Sequence, residues 1–426
     1  MSGARGNRRG RLGWAFYDWA NSAFATTVIA GFFPVFFKTF WSAGSPAETS
    51  TLQLGIGSAL ASLVVLFAAP LAGAIADHGH RKKAGLAIAT ALAVAATAAL
   101  FWVGRGQWLT AMMLFVIASI GFFMAMVFYD SLIVDVAAPA DYDRVSALGY
   151  GLGYLGGGVL LAINVAMTLE PHWFGLVDRA AAVRWSFLSV AVWWALFSIP
   201  LFVTVSEPSS RTAPGARDAL RAGLAELAVT ARDILSRREV WLFLLAYWLY
   251  IDGVHTIIRM AVDFGLSLGF GQQSLIVALL LVQFIGFPAA VGFGWLASFW
   301  DTKKAIYLGL AVYAGITAWG YFLTAVWQFY VMAAAIGLVQ GGVQSLSRSY
   351  FARLIPENKA GEYFGVYNMM GKFAAVIGPA LVGVTAAATG SARLSIVSIV
   401  ILFAVGGFLL TRVDAGRAAV VEGRQA

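Results

Sequence analysis

The sequence predicts an all-α polytopic membrane protein with twelve transmembrane helices in two pseudo-symmetric six-helix bundles. Hydrophobic residues make up 60% of the 426 and charged residues only 12%, about half the charged share of a soluble protein. Apolar stretches of roughly the 20 residues that cross a bilayer follow one another along the chain. The phrase at Gly73–Lys83 also recurs without gaps at Gly294–Lys304, and such a repeat is typical of membrane proteins built from two related halves.

Twelve such stretches can be counted, and each is interpreted as one membrane span because its length matches the bilayer. Short polar breaks set their boundaries. In chain order they cover about 13–40, 52–76, 84–104, 108–134, 146–169, 183–205, 240–265, 273–299, 305–325, 328–350, 363–388 and 392–411.

Residues 206–238 interrupt the apolar pattern between the sixth and seventh stretches. The segment holds six arginines and two prolines, while its apolar residues keep a helical spacing, which predicts an amphipathic helix on the cytoplasmic membrane face. A plain connector that only joins the halves is the alternative. The predicted domains are an N-terminal six-helix bundle (1–205), a cytoplasmic amphipathic linker (206–238), a C-terminal six-helix bundle (239–412) and a cytoplasmic tail (413–426).

Basic residues are distributed unevenly between the two sides of the predicted spans. If the N-terminus lies in the cytoplasm, 22 of the 29 lysines and arginines fall on the cytoplasmic side and 5 on the outer side. Cytoplasmic loops carry such an excess, so we expect a multi-pass protein of the cell (inner) membrane with both termini cytoplasmic. The net charge of +8 is then a topology signal that suits anionic lipid headgroups and not nucleic acid.

The chain offers little chemistry for metal or thiol sites. Without cysteine it can form neither a disulfide nor a thiolate site. The first apolar run is too long for a signal peptide and lacks a small-residue cleavage site. We expect no metal and no cofactor, because the four histidines show no metal-ligand spacing within a helix: His78, His80, His172 and His255.

The repeated phrase follows an apolar stretch in each half and ends in basic residues. In the first copy, the Asp77 carboxylate can accept hydrogen bonds from a neighbouring helix N-terminus or pair with a cation across the halves. A bond made in one state and broken in another biases a gate. The second copy has Ser298 in place of the acid, which predicts a one-sided contact. Alternatively, the basic residues only anchor topology. The predicted gating residues are Gly73, Asp77, Arg81 and Lys82.

Several polar residues lie inside the predicted spans, although an ionisable side chain at the bilayer centre costs roughly 2.5–3.5 kcal/mol on insertion scales. Many of them stand three or four residues apart and therefore share a helix face. The candidates for substrate binding are Asp18, Asn21, Asp252, His255, Arg259, Gln344, Asn368 and Lys372.

Structural roles remain open for some in-span residues. Asp18 and Lys372 could form a pair that bridges the halves without binding a solute, and His255 could be a helix-packing histidine. Asp130, Asp135 and Arg348 stand near helix ends and are interpreted as interfacial charges. The glycine series of the fifth stretch favours close helix packing over a ligand site.

Two sets of motifs resemble known families. The first hinge is similar to the Gly-x-Leu-Ala-Asp-x-x-Gly-Arg-Lys loop of the major facilitator superfamily, with His80 at its second glycine. The phrases FYDWANSA at 16–23, LGYGLGYLGGG at 148–158, QGGVQSLSRS at 340–349 and YNMMGKFAA at 367–375 look like the autophagy-related vacuolar effluxer-like family of fungi and its bacterial relatives. This resemblance implies the major facilitator fold and an association with amino-acid export from the vacuole. His255 and Arg259 depart from the family pattern.

The spans, the repeat and the in-span charges together predict a secondary active transporter of a small polar solute, working by alternating access, and not an enzyme. Acids and cations around one cavity suit a zwitterion such as an amino acid. Asp18 or Asp252 is the expected proton-coupling group, because a carboxylate in low dielectric takes up a proton more readily. We expect a monomer whose partners are the solute, protons or another coupling ion, and membrane lipids.

A sensor and a membrane enzyme are the two alternative classes of protein. A sensor that kept the fold and lost transport would need no gate, yet the first hinge retains Asp77. A membrane enzyme acting on a lipid would need a metal-binding or nucleophilic constellation near an interface. The four acids around the end of the fourth stretch lack an Asp-x-x-Asp-Asp arrangement for magnesium: Asp130, Asp135, Asp141 and Asp143.

Overall fold

The chain is helical throughout the part that the structure describes. The computed structural model covers residues 7–79, 81–207, 229–373 and 377–415. Within these ranges there is no strand, so the predicted all-α class is confirmed. Eleven helices there are long and apolar enough to cross a membrane. A further helix, Thr302–Gly320, falls outside that set because Lys303 and Lys304 occupy the first turn of its 19 residues.

In the described chain, six long helices precede the predicted linker, and each overlaps one of the first six predicted stretches. The first is α-helical to Ala23 and then alternates between π-helical and α-helical geometry as far as Trp41. The six are α1 (Arg8–Ala23, continued by Phe24–Phe32, Phe33–Phe36 and Phe37–Trp41), α2 (Ala47–Gly79), α3 (Lys82–Ala99), α4 (Trp108–Ser131), α5 (Tyr142–Leu169) and α6 (Arg179–Thr204).

Six more helical units follow the linker and overlap the remaining six predicted stretches. One of them, α12, consists of two α-helical segments, and α11 is described on either side of residues 374–376. The six are α7 (Arg238–Ser267), α8 (Gln272–Phe299), α9 (Thr302–Gly320), α10 (Val326–Leu354), α11 (Ala360–Phe373 and Ile377–Thr389) and α12 (Ala392–Val397 and Val400–Thr411).

Glycines along α5 allow two other helices to approach its backbone closely. A Cβ atom on Gly156 would lie 2.6 Å from the backbone oxygen of Trp19 in α1. A Cβ atom on Gly151 would lie 2.9 Å from the side chain of Val291 in α8. The interpretation of this glycine series as a packing surface is therefore confirmed. α5 thus lies between α1 of its own half and α8 of the other.

One end of the helical assembly carries the loops rich in lysine and arginine, and it is called the basic end below. Contacts between neighbouring loops define it. Arg11 Nη2 lies 2.7 Å from Asp141 Oδ2, and Lys303 Nζ donates to the backbone oxygen of Val413 at 2.6 Å. The hinge residues of both repeats lie at this end, so any gate formed by them closes or opens here.

Most of the predicted amphipathic linker lies outside the described residues, since 208–228 are not among them. His80 of the first hinge and 416–426 of the predicted tail lie outside as well. The described end of the linker, 229–236, is helical and is called the linker helix. It contacts α11, where the Thr230 hydroxyl donates to Glu362 Oε2 at 2.5 Å.

Candidate functional site

A buried arginine of the C-terminal half is held by two acids of the N-terminal half. Arg348 in α10 is completely buried, at 0% exposure. Its Nη1 donates to Asp130 Oδ1 at 3.0 Å, and its Nη2 donates to Asp18 Oδ2 at 3.3 Å. Because Asp18 belongs to α1 and Asp130 to α4, this ion-pair cluster joins the two halves.

The remaining polar surface of the guanidinium is also satisfied. Nε of Arg348 donates to the Ser146 hydroxyl at 2.9 Å, and Nη2 donates to the Ser146 backbone oxygen at 3.0 Å. The guanidinium carbon lies 4.7 Å from the ring centre of Trp14 and 4.5 Å from that of Tyr150, within cation–π range. A charge can be buried here because hydrogen bonds and aromatic faces replace its water.

Each acid of the cluster has a second polar partner. The Tyr129 hydroxyl donates to Asp18 Oδ2 at 2.8 Å. Asn368 Nδ2 in α11 donates to Asp130 Oδ2 at 3.0 Å. The site therefore draws on α1, α4, α5, α10 and α11, and the last two come from the opposite half to the acids.

Local sequence explains why these side chains can meet. Gly149 in α5 faces the cluster, and a Cβ atom there would lie 2.7 Å from Asp18 Oδ2. Around Arg348, the fully buried serines Ser345, Ser347 and Ser349 are small enough for α10 to lie close to its neighbours. Small residues at a helix interface permit this close approach in membranes.

Two charges that the sequence analysis interpreted as interfacial are in fact buried between the two halves. Arg348 and Asp130 are 0% and 3% exposed, so that interpretation is wrong. Their positions near helix ends suggested contact with headgroups, but the partners for the arginine come from other helices and no spacing within one helix reveals them. The alternation of Ser345, Ser347 and Ser349 with larger residues around Arg348 was the available signal.

The alternative in which Asp18 pairs with Lys372 is not the observed arrangement. Asp18 pairs with Arg348, while Lys372 Nζ lies over the ring of Phe123 in α4. Among the described residues, no carboxylate lies within ion-pair distance of Lys372. Lys372 is thus a half-buried cation on α11 that faces an aromatic ring of the N-terminal half.

Two amides predicted for the substrate site lie on α1 and α10. Asn21 is buried, and its Nδ2 contacts the sulfur of Met126 at 3.3 Å. Gln344 is half-buried, and its Oε1 accepts from the Tyr154 hydroxyl at 3.4 Å. Both amides keep part of their hydrogen-bonding capacity, since the sulfur is a weak acceptor and the second contact is long.

Asp252 accepts hydrogen bonds from the backbone of a neighbouring helix. This fully buried residue of α7 accepts from the backbone N–H groups of Ile377 at 2.9 Å and Gly378 at 3.0 Å in α11. On the same helix His255 is half-buried and Arg259 is exposed. These two backbone hydrogen bonds connect α7 to α11 within the C-terminal half.

The first hinge makes a contact across the halves at the basic end. Asp77 Oδ2 accepts from the backbone N–H of Glu362 at 2.9 Å. Lys82 Nζ lies 3.9 Å from Asp77 Oδ1 and 2.9 Å from Asp135 Oδ2. Arg81 is exposed and precedes α3. This is the geometry that the sequence argument describes for Asp77.

Glycines bring the two helices of this contact together. A Cβ atom on Gly73 in α2 would lie 2.0 Å from the backbone oxygen of Gly361, and one on Gly361 would lie 2.5 Å from the backbone oxygen of Gly73. Both distances are shorter than any real Cβ contact. Only glycine therefore lets α2 and α11 meet at the hinge.

The second hinge also makes contacts across the halves, so the expectation of a one-sided contact is wrong. Arg144 Nε of α5 donates to the Ser298 hydroxyl at 3.2 Å. Beside it, Asp143 accepts from Arg353 of α10 at 2.9 and 2.8 Å and from the Thr302 hydroxyl at 2.8 Å. The acid missing from the second repeat is supplied by the start of α5, which no alignment of the two hinges reveals.

Comparison with known proteins decides the family. The family described as "Vacuole effluxer Atg22 like" matches residues 53–140 and 134–422. The chain belongs to this family. The resemblance drawn from the sequence motifs is thereby confirmed.

Relatives of this family member fall into a bacterial and a fungal group. The Bacillus subtilis protein YxiO, described as an uncharacterized MFS-type transporter, is 37% identical over 400 residues, which cover 93% of each chain. Autophagy-related protein 22 of Yarrowia lipolytica is 28% identical over 309 residues, or 64% of this chain and 51% of the fungal protein. The match therefore spans about half the length of that fungal relative.

Solved structures show the fold of the family member. The proton:xylose symporter XylE, of the major facilitator superfamily, aligns with a TM-score of 0.70 at 13% identity and covers 95% of this chain and 94% of its own. A bacterial homologue of ferroportin in an outward-facing state aligns with a TM-score of 0.66 at 14% identity, covering 95% and 98%. These likenesses show that the family member has the multi-pass fold of the major facilitator superfamily.

Acidic and histidine side chains are scattered in this family member. Within the part of the chain that the structure describes, no three of its histidines, aspartates and glutamates are grouped closely enough to hold a metal ion. The described side chains between the halves form ion pairs and hydrogen bonds.

Proposed function

We propose that this protein is a secondary active transporter of a small polar solute, an amino acid or similar zwitterion, and that it works by alternating access coupled to protons. The ion-pair cluster of Arg348 with Asp18 and Asp130 is the observation that carries this proposal. Its members come from both halves, so their bonds must rearrange when the halves move against each other. A buried charge that loses its partner is costly. Binding of a proton or a charged solute at the cluster therefore changes the free-energy difference between the two conformations.

The proton-coupling group in this proposal is Asp18 rather than Asp252. Among the described residues, the carboxyl group of Asp18 bonds to two side chains, those of Tyr129 and Arg348. Arg348 belongs to the other half, so the surroundings of Asp18 change with conformation. Asp252 is bound by two backbone amides of α11, and both residues belong to the C-terminal half. A group that couples protons to movement must experience different surroundings in the two states.

The proposed solute site lies beside this cluster, between α1 of one half and α7, α10 and α11 of the other. Asp18 would attract an ammonium group, and Lys372 and Arg259 a carboxylate. Asn21, His255, Gln344 and Asn368 would supply hydrogen bonds. The half-buried Lys372 supports the carboxylate-binding end of the site most directly, because it faces an aromatic ring in place of a carboxylate partner.

The gate in this proposal is formed by the first hinge, with Gly73 and Asp77 holding α11 and with Arg81 and Lys82 beside them. We place the basic end in the cytoplasm, with both termini, because basic loops face that side. The membrane is then the bacterial cell membrane, with anionic lipids around the basic loops. The two six-helix halves, at 1–205 and 239–412, would rock about the linker as a monomer.

Flux in sealed proteoliposomes tests this proposal. Thermal-shift screening of the purified protein against amino acids, peptides, sugars and nucleosides first identifies a ligand, because binding raises apparent stability. Uptake of that ligand should then accelerate with a pH gradient in the wild type and lose its gradient dependence in Asp18→Asn. Lys372→Ala and Arg259→Ala should each weaken binding of a carboxylate ligand and leave an ester analogue unaffected.

Three outcomes would contradict parts of the proposal. Ligand binding without flux would identify a sensor on a transporter fold. Flux that ignores the pH gradient, with Asp18→Asn fully active, would remove proton coupling. Thermal shifts that remain equal to those of the wild type in both cation variants would defeat the carboxylate assignment.

A further inference from the structure

We propose that Asp18 and Asp130 hold a single proton between them in this state, because in the described part of the chain Arg348 is the one cation within ion-pair distance of these acids. This inference rests on the proposed proton coupling. It goes further by stating how many protons the cluster binds, which acid carries the proton and which acid stays ionised.

The charges around the cluster do not balance if both acids are ionised. Asp18 comes from α1, Asp130 from α4 and Arg348 from α10. α5 and α11 present only neutral partners, Ser146 and Asn368. In the described part of the chain, no second cation lies within ion-pair distance of either carboxylate.

The other titratable groups near Asp18 are phenols. Because a phenol ordinarily ionises only near pH 10, these side chains are neutral and cannot offset the excess acid. In the described part of the chain, the tyrosines that interact electrostatically with Asp18 are Tyr17, Tyr129, Tyr150 and Tyr154.

One bound proton removes the imbalance. Two carboxylates that share a buried site do not both ionise readily, since each disfavours the charge of the other. With one acid protonated, the remaining carboxylate and the Arg348 guanidinium form a neutral pair. A neutral pair with complete hydrogen bonds is the form in which buried charges are tolerated.

Hydrogen-bond directions assign the proton to Asp18. Both oxygens of Asp130 accept, Oδ1 from Arg348 and Oδ2 from the Asn368 amide, so Asp130 is the carboxylate. Asp18 accepts only at Oδ2, from Tyr129 and from Arg348 at the longer distance of 3.3 Å. Among the described residues nothing donates to Asp18 Oδ1, which is free to carry the proton.

The proton count sets the attraction between the halves. With Asp18 protonated, Arg348 of the C-terminal half is attracted by one negative charge of the N-terminal half. When Asp18 releases its proton, the same guanidinium is attracted by two. Proton binding therefore weakens the contact of Arg348 with the two acids, which joins the halves. Proton release strengthens this contact.

Infrared spectroscopy of the purified protein tests the inference without a substrate. The carbonyl stretch of a protonated carboxyl group is recorded in H2O and in D2O, well above the ordinary carboxyl pKa. The wild type should show one such group. Asp18→Asn and Asp130→Asn should each abolish it, because the remaining acid becomes the sole partner of Arg348. Arg348→Gln should double the signal, since neither acid then has a counter-ion.

Asp143→Asn serves as the matched control. Asp143 also joins the halves, but it faces its own arginine, Arg353, so its loss should leave the signal unchanged. A wild type without the signal overturns the inference, and this measurement stands even if a variant fails to fold. A signal that persists in Asp130→Asn overturns it as well, because Asp18 would then bind its proton independently. In either case pH-dependent flux would still uphold the proposed coupling, so the two failures are distinguishable.

Discussion

The carboxylate of Asp77, at the end of α2, accepts a hydrogen bond at 2.9 Å from the backbone N–H of Glu362, in the first turn of α11. The first turn of a helix has N–H groups without partners inside the helix and carries partial positive charge. An acid of the N-terminal half thus caps a helix of the C-terminal half. The contact has to break whenever the halves separate at the basic end.

Replacing Asp77 with alanine should favour separation at this end. Hydrogen bonds to charged groups contribute about 1.5–3 kcal/mol, so the equilibrium should shift roughly tenfold or more. The chain has no native cysteine, and a reporter pair can be added at Arg144 and Ser298, whose side chains lie 3.2 Å apart across the halves. Crosslinking of Arg144→Cys with Ser298→Cys should slow in the Asp77→Ala background.

The matched control is Glu170→Ala, since Glu170 is an exposed acid at the opposite end of α5. It should leave the crosslinking rate unchanged. Equal rates in Asp77→Ala and the unmodified background would show that the cap on α11 does not hold the basic end together.

Substitution of Gly361 should weaken the contact at the basic end as strongly as substitution of Asp77, which lies against it. An alanine there would place Cβ 2.5 Å from the backbone oxygen of Gly73 and 2.8 Å from Asp77 Oδ1, so α2 and α11 would have to move apart. We expect Gly361→Ala to slow the same crosslink. Gly55→Ala in α2 is the control, because a Cβ atom at Gly55 would meet nothing within 4 Å. Identical behaviour of the two alanine variants would refute the close-approach argument.

Features that depend on a single helix or a single repeat could be predicted from the sequence. The spans follow from the apolar length that a bilayer requires, and the role of Asp77 as an acceptor follows from its place at a helix end. The glycines of α5 identify a packing surface because small residues mark close contacts in membranes. Each of these inferences needs only neighbouring residues in the chain.

Partners contributed by distant helices could not be predicted in this way. Arg348 meets Asp18 and Asp130 across 330 and 218 residues, and Asp143 replaces the acid that the second hinge lacks. Charge near a helix end has the same sequence signature whether it faces lipid headgroups or another helix. Only the packing of α1, α4 and α5 against α10 shows that Arg348 faces other helices and not lipid headgroups.

Asp252 should be more important for stability than for proton coupling. Asp252→Ala leaves the N–H groups of Ile377 and Gly378 without their acceptor, and an unsatisfied buried donor costs about 1–3 kcal/mol. The thermal unfolding midpoint should therefore fall by several degrees, while Asp252→Asn, which keeps one acceptor oxygen, should fall less. Uptake by Asp252→Asn should retain its dependence on the pH gradient. A gradient-independent Asp252→Asn that is fully stable would instead make Asp252 a coupling group.

The linker helix should be released from α11 only in acid. Burial works against ionisation of Asp233, but hydrogen bonds from the Tyr363 hydroxyl, at 2.7 Å, and from Arg237 outweigh it, so the pKa of Asp233 lies below its ordinary value. A lowered pKa in the folded state means that the contact contributes its full stability above the ordinary carboxyl pKa. That contribution is lost as the pH falls through the lowered value.

A spin label on Leu235→Cys, which is 69% exposed, can follow this release. Its mobility should stay constant from neutral pH down to the ordinary Asp pKa of about 3.9 and rise below it. Tyr363→Phe removes the hydroxyl donor and should raise mobility already at neutral pH, because Asp233 then loses its bond to α11. Tyr321→Phe, at an exposed tyrosine between α9 and α10, should change nothing. A label whose mobility is the same in Tyr363→Phe and Tyr321→Phe would show that this hydrogen bond does not fasten the linker helix.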